Sequence, residues 1–177
     1  MGLFLPLTYA LYKKDWESLG FTKNNIVNAL IIGIAAGFLV ILYTFFLFGD
    51  GTPPNMLGLQ LIVGIPVWFL IMSPFQEFFF RGLMQPKIQD FLGKWLGLVF
   101  TSLLFTLWHF FPPLEGTLTS TLPLSSPLGV VSTFMLGLLF GYTFNRTNNI
   151  IAPWIAHALG GMGLILIGRM IIIQYIP

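Results

Sequence analysis

Glu77 and Arg81 stand four residues apart within Gln-Glu-Phe-Phe-Phe-Arg-Gly (Gln76 to Gly82). His109 closes Phe-Thr-Leu-Trp-His, and His157 sits in Pro-Trp-Ile-Ala-His-Ala-Leu; the chain has no other histidine. A buried carboxylate beside two imidazoles can activate water, one histidine sharing the proton transfer and the other polarising a carbonyl. That chemistry is amide hydrolysis without a covalent intermediate. The same Glu77, His109 and His157 could instead hold zinc as a His₂Glu set, but no His-Glu-x-x-His occurs. Ser73 and Ser102 lack a Gly-x-Ser-x-Gly elbow. The absence of cysteine removes thiol nucleophiles, thiolate metal sites and disulfides.

These four groups lie in a chain that is 56% hydrophobic and 8% charged, with a mean hydropathy of +0.86. Too little polar surface exists to cover a soluble domain of this size. The fold class is therefore all-α, a polytopic transmembrane bundle forming one domain over residues 1–177. Ionisable groups within lipid are costly to keep and by default mark function. A net charge of +2 gives no reason to expect nucleic acid as a partner. Membrane lipids are the expected surroundings.

Five spans must position the four groups. Ile26 to Phe48 is an uncharged run; a second runs from about Leu57 into the Glu77–Arg81 motif, with kinks expected at Pro66 and Pro74. The third covers roughly Trp95 to Phe111, the fourth Leu128 to Phe144 and the fifth Ile150 to Gly168. Gly49 to Pro54 and Pro112 to Pro127 read as loops. Met1 to Tyr12 is apolar but too short to span, so we expect a partial or re-entrant helix, the remnant of a truncated span being one origin. Lys13, Lys14 and Lys23, then Arg81, Lys87 and Lys94, then Arg146 fall on alternate connections, which places those connections in the cytoplasm. Arg169 is the exception, and Asp15, Asp50 and Asp90 are expected outside the hydrocarbon. The Asn145-Arg146-Thr147 sequon then lies on the wrong side for glycosylation.

Helical rise gives depths. Counted from Lys87, Lys94 and Thr147, Glu77 and His157 lie roughly 15 Å deep and His109 roughly 22 Å deep. Tilt absorbs the difference, so three helices bring polar groups to one level. Glu77 and Arg81 share a helix face and can pair. Gly33-x-x-x-Gly37 and Gly137-x-x-x-Gly141 are expected to pack helices closely. Phe78 to Phe80 are expected to face lipid or to pack, with an apolar substrate groove as the alternative.

The order of a Glu-rich motif ending in Phe-Arg-Gly, then Phe-x-x-x-His, then Asn-x-x-x-x-Pro-x-x-x-His-Ala-Leu resembles the CPBP intramembrane protease family. That family includes the type II CAAX prenyl endopeptidases and is also called the Abi family. The resemblance covers about Ser73 to Gly161, with weaker similarity around Trp16 to Phe21. The family's paired glutamates fall on Gln76 and Glu77 and its arginine on Arg81. Its second motif falls on Phe105 and His109, and its third, a histidine followed four later by asparagine, on His157 and Gly161. The resemblance implies that the first glutamate and the second-motif histidine activate water, and that the third-motif histidine and asparagine stabilise the oxyanion.

Two positions depart from that pattern. Gln76 has no basicity and Gly161 no side chain, so either Glu77 takes the base role, which requires a distorted helix, or the reaction is slow or absent. The resemblance implies a metal-independent membrane endopeptidase, without cofactor, in the plasma membrane of a prokaryote. Its substrate would be a membrane-delivered peptide or protein, prenylated substrates included. Glu77, Arg81, His109 and His157 are its expected catalytic residues, and Gln76, Phe105 and Gly161 would line the substrate site. The alternative is a relative that has lost hydrolysis and acts as a membrane binding or immunity protein.

Overall fold

Ile26–Phe48 forms α2, an unbroken helix of 23 residues. At 1.5 Å per residue it is about 35 Å long, enough for a hydrocarbon core of about 30 Å. Val27, Ile31, Phe38 and Phe46 are exposed along it, while Ala29, Gly33, Ala36, Gly37 and Val40 are buried. Large apolar side chains thus face lipid and small ones face protein, as expected for a membrane helix. The computed structural model that shows this describes residues 4–49, 52–109, 119–120 and 126–173.

The other elements follow in chain order. α1 is Phe4–Lys13, in agreement with a helical segment too short to span. A broken helix runs over Leu57–Leu92 and contains α3 (Leu57–Val67), α4 (Ser73–Glu77) and α5 (Gln85–Leu92). Then come α6 (Lys94–Trp108), α7 (Pro127–Thr147) and α8 (Ile151–Leu166). A two-residue antiparallel pair, β1 (Thr119–Ser120) with β2 (Met170–Ile171), is the sole sheet among the described residues.

All five expected spans are helical, but they do not have equal reach. Three of the helices, Ile26–Phe48, Leu57–Leu92 and Pro127–Thr147, are long and apolar enough to cross a membrane. α6 and α8 have 15 and 16 residues, about 22 to 24 Å at helical rise. His109 follows Trp108 as the cap of α6, its N–H bonding the Thr106 carbonyl. Phe110 and Phe111, expected in the same span, lie outside the described residues. The loop expected over Pro112 to Pro127 falls largely outside the described residues, and Pro127 is not loop but the first residue of α7, capped by Ser126 Oγ accepting from the Gly129 N–H at 3.1 Å.

Glycines set the helix contacts. A Cβ on Gly33 would lie 2.8 Å from the Ala152 carbonyl oxygen, and one on Gly37 would lie 2.6 Å from the Leu159 side chain. From the other side, Gly160 and Gly163 of α8 abut Val40 and Ile41. The α2–α8 seam is therefore close, backbone against backbone at Gly33 and side chain set against glycine at Gly37, Gly160 and Gly163. α8 is the central helix, with His157, Gly160, Gly161 and most of its length buried. Its N-terminus is clamped by the segment before α2: Asn149 Nδ2 donates to the Thr22 and Asn24 carbonyls at 2.9 and 3.1 Å. The Ile150 N–H bonds the Gly20 carbonyl at 2.9 Å, and Asn149 Oδ1 accepts from the Ile151 N–H.

The basic connections gather at this end. Gly82 abuts Leu19, Gln85 bonds Asn145, and Lys87 lies over the Tyr9 ring. At the opposite end Gln60 bonds the backbone of Ile172 and Ile173. Arg169, the exception to the charge pattern, donates through Nε to the Phe48 carbonyl at 2.7 Å. It occupies the C-terminal end of α2, where the helix dipole favours a cation and unpaired carbonyls need donors. Gly33→Leu should therefore destabilise the protein by the about 1 to 3 kcal/mol typical of overpacking, read as a lower melting temperature in detergent. Gly58→Ala, where an added Cβ meets nothing within 4 Å, should leave melting unchanged or raise it; equal losses in both variants would refute a close α2–α8 seam.

Candidate active site

Arg81 is fully buried, and its surroundings account for its charge. Nη1 donates to Glu77 Oε1 at 3.0 Å, one turn back on the same helix. Nη2 donates to the Gly137 carbonyl of α7 at 3.0 Å, and the guanidinium carbon lies 4.2 Å from the centroid of the Phe105 ring of α6. One turn further, Gln85 Nε2 donates to the Gly141 carbonyl, also at 3.0 Å. Arg81 and Gln85 thus read two helix carbonyls that glycine leaves uncovered. Gly137-x-x-x-Gly141 packs as expected, with Gly137 against Ser102 and Gly141 against Leu98, and it also supplies acceptors.

Glu77 Oε1 takes a second bond, from His157 Nδ1 at 2.6 Å. Glu77 is fully buried, and Oε2 has no hydrogen-bond partner. The His157 ring stacks on Phe140 at 4.7 Å and 18°, lies 5.9 Å from Phe105 and 5.7 Å from Trp68. A carboxylate with one oxygen fixed by two donors and the other unpartnered is oriented and still able to accept a proton.

The helix that carries Glu77 is distorted on both sides of it. Trp68–Met72 and Phe78–Met84 are π-helical, each a widened stretch with bonds five residues apart. The kink expected near Pro74 takes this form: the Ser73 N–H bonds the Trp68 carbonyl, and in the same register the Phe69 carbonyl would face Pro74, which has no N–H. Trp154 Nε1 of α8 supplies the missing donor at 2.8 Å. Trp154 also packs edge-on against Phe78, and Phe78 against Phe21. Phe78 and Phe80 are buried, so of the roles open to that run, packing is the one they fill; Phe79 is half-buried against the same core.

His109 enters from α6. Its Nδ1 lies 2.7 Å from the Phe105 carbonyl; a carbonyl can only accept, so Nδ1 carries the hydrogen and Nε2 is left as an acceptor. The ring packs 4.5 Å from that of Phe105. Phe105 is therefore the shared wall of Arg81, His109 and His157, and the two imidazoles are no further apart than their distances to it add up to. Gln76 is buried with Oε1 unpartnered. Gly161 faces the Trp68 indole, whose ring atoms would lie 2.1 to 2.4 Å from a Cβ built there.

Among the described residues, five of the seven buried side-chain atoms without a partner lie on one segment: Trp68 Nε1, Ser73 Oγ, Gln76 Oε1, Glu77 Oε2 and Arg81 Nε, the others being Gln85 Oε1 and Asn145 Nδ2. Buried polar groups are nearly always bonded, so such a run marks atoms free to meet water or substrate. Glu77, Arg81, His157 and Phe105 were legible from spacing and motif. Spacing gives no signal for Trp68, Trp154 or Asn149, although Trp68 opens the first widened stretch and Asn149 heads α8. Among the described residues no group of three or more His, Asp or Glu could hold a metal ion.

No curated protein and no solved structure matches the chain. A family model does, that of the type II CAAX prenyl endopeptidase Rce1-like proteins, over residues 58–162. The match spans Trp68, the Glu77–Arg81 pair, His109, His157 and Gly161, and it takes in more than half of the sequence. Together with three helices able to cross a bilayer, it identifies an integral membrane protein that belongs to the Rce1-like type II CAAX prenyl endopeptidase family.

Proposed function

We propose that this chain is a membrane-embedded endopeptidase that cuts a peptide bond in a membrane-delivered protein or peptide, prenylated substrates included, using water activated by Glu77 and the histidines. The basic end would face the cytoplasm of a prokaryotic cell, the side from which a lipidated tail arrives. One observation carries the reading: the buried Glu77 carboxylate is held through Oε1 by Arg81 and His157 while Oε2 is unpartnered. Arg81 fixes the orientation of that carboxylate, and the stack on Phe140 fixes His157.

In the first step a water proton passes to Glu77 Oε2, with His109 Nε2 as a neighbouring acceptor. The water oxygen bonds the scissile carbonyl carbon, and the carbonyl electron pair moves onto oxygen. In the second step that pair returns, the C–N bond breaks, and the proton held at Glu77 goes to the leaving nitrogen. Water and peptide become an acid and an amine, with no covalent enzyme intermediate. A fixed general base of this kind is worth about 10²- to 10⁴-fold in rate. Gln76 lines the site as a polar amide and takes no proton.

Glu77→Gln should lower kcat for a tagged membrane peptide by at least about 10²-fold, whereas Gln76→Ala keeps most of the activity. Melting must be recorded in parallel, because breaking a buried ion pair costs about 3 to 5 kcal/mol. Cleavage undiminished by Glu77→Gln would remove Glu77 as base. A family member that binds without cleaving would instead show inactive wild-type protein, and Gln76→Glu would then restore some turnover by adding a carboxylate.

The metal question has its own test. Glu77 Oε1 already holds a guanidinium and an imidazole, and a cation placed there would oppose Arg81. Activity should survive chelator, and the purified protein should carry no stoichiometric zinc. Zinc lost together with activity in His109→Ala would reverse that conclusion.

A further inference from the structure

We infer that Trp68 supplies the oxyanion donor of this site, its indole N–H standing in the space that an asparagine side chain at position 161 would fill; this rests on the endopeptidase reading above. Gly161 lies one turn after His157, so both face the same side of α8. A Cβ at 161 would fall 2.1, 2.2 and 2.4 Å from Cδ2, Cε2 and Cε3 of Trp68. The indole therefore occupies the slot, and glycine is the residue that admits it. Nε1 is bonded to Cε2, which puts the ring's single donor beside the backbone turn that follows His157.

That donor is free. Trp68 is 5% exposed, and Nε1 has no hydrogen-bond partner. A buried tryptophan N–H usually finds an acceptor, and Trp154 nearby does so at Phe69. Trp68 packs into an apolar cluster with Ala158 and Met162, which holds the ring in place. Its main chain lies in the first widened turn, whose register is set by Pro74 and completed by Trp154. The same distortion that orients Glu77 therefore presents the indole to α8.

An oxyanion donor must be fixed before charge develops, and it works best where water is excluded. A ring wedged against a glycine satisfies both conditions. When the water oxygen bonds the carbonyl carbon and the electron pair moves to the carbonyl oxygen, the indole N–H donates to that oxygen; it gives up no proton, and the pair returns when the C–N bond breaks. His157 lies 5.7 Å from the indole, ring to ring.

The test measures cleavage of a tagged membrane peptide by full-length protein in vesicles, with kcat and KM separated and melting followed for each variant. Trp68→Phe keeps a ring and removes the donor; kcat should fall by about 10² to 10³, the loss typical of one oxyanion donor, with KM little changed. A second pair decides if that variant melts early. Trp68→Ala with Gly161→Asn opens the slot and installs an amide donor, while Trp68→Ala with Gly161→Ala opens it without one. The first should exceed the second in kcat by about 10², a donor in this slot restoring what removal of the indole takes away. Equal kcat in the two double variants, or a Trp68→Phe protein with wild-type kcat, overturns the role of Trp68 while leaving the endopeptidase reading intact. Wild-type protein that cleaves nothing defeats the endopeptidase reading, and the donor role falls with it.

Discussion

A guanidinium with no exposure to solvent constrains everything around it. Arg81 cannot be left uncompensated in a low-dielectric interior, where an unpaired charge costs several kcal/mol. Its partners come from its own helix through Glu77, from α7 through the Gly137 carbonyl and from α6 through the Phe105 ring. Glu77 extends the set to α8 through His157. Four helical segments are thereby fixed about one cation. The glycines at 137 and 141 let the neighbouring helices approach those carbonyls, since a Cβ would meet Ser102 and Phe105 at 137 and Leu98 and Gln85 at 141.

The helix that bears Arg81 is irregular for a related reason. A regular helix through Pro66 and Pro74 would leave carbonyls without donors in a medium that offers none. Widened turns at Trp68–Met72 and Phe78–Met84 redistribute the bonds, and Trp154 closes one remaining vacancy from α8. Such bulges commonly occur where helices carry function. Here they turn Trp68 and Glu77 toward the same neighbour. Hydroxyls elsewhere solve the problem locally: Thr101, Ser102 and Thr106 each bond the carbonyl four residues back.

The part of this arrangement that follows from short-range geometry is the part that the sequence revealed. Glu77 and Arg81 meet because they are four apart, and His157 meets them because ionisable groups in apolar runs must find each other. The five helices were legible from hydropathy, although the start of α7 shifted: Pro127 opens a helix instead of closing a loop. The place of Trp68 could not be read, because it depends on a change of helical register that single-residue periodicity does not encode. Arg169 read as a charge on the wrong side; it is a cap on α2, a role visible only once the two ends are adjacent.

The seam between α2 and α8 bears on the order in which the protein can be made. α2 emerges early, with a stripe of small residues that nothing nearby in sequence fills. Its counterpart α8 is the last of the described helices, and Asn149 at its head bonds Thr22 across 127 residues of chain. Closing so long a loop is slow compared with inserting a helix, and helices in a bilayer associate only after they are in place. During synthesis α2 therefore waits in lipid with its glycine face unpaired while the chain between is threaded. His157 reaches Glu77 only when α8 docks, so the buried set of Arg81, Glu77 and His157 is completed at that step.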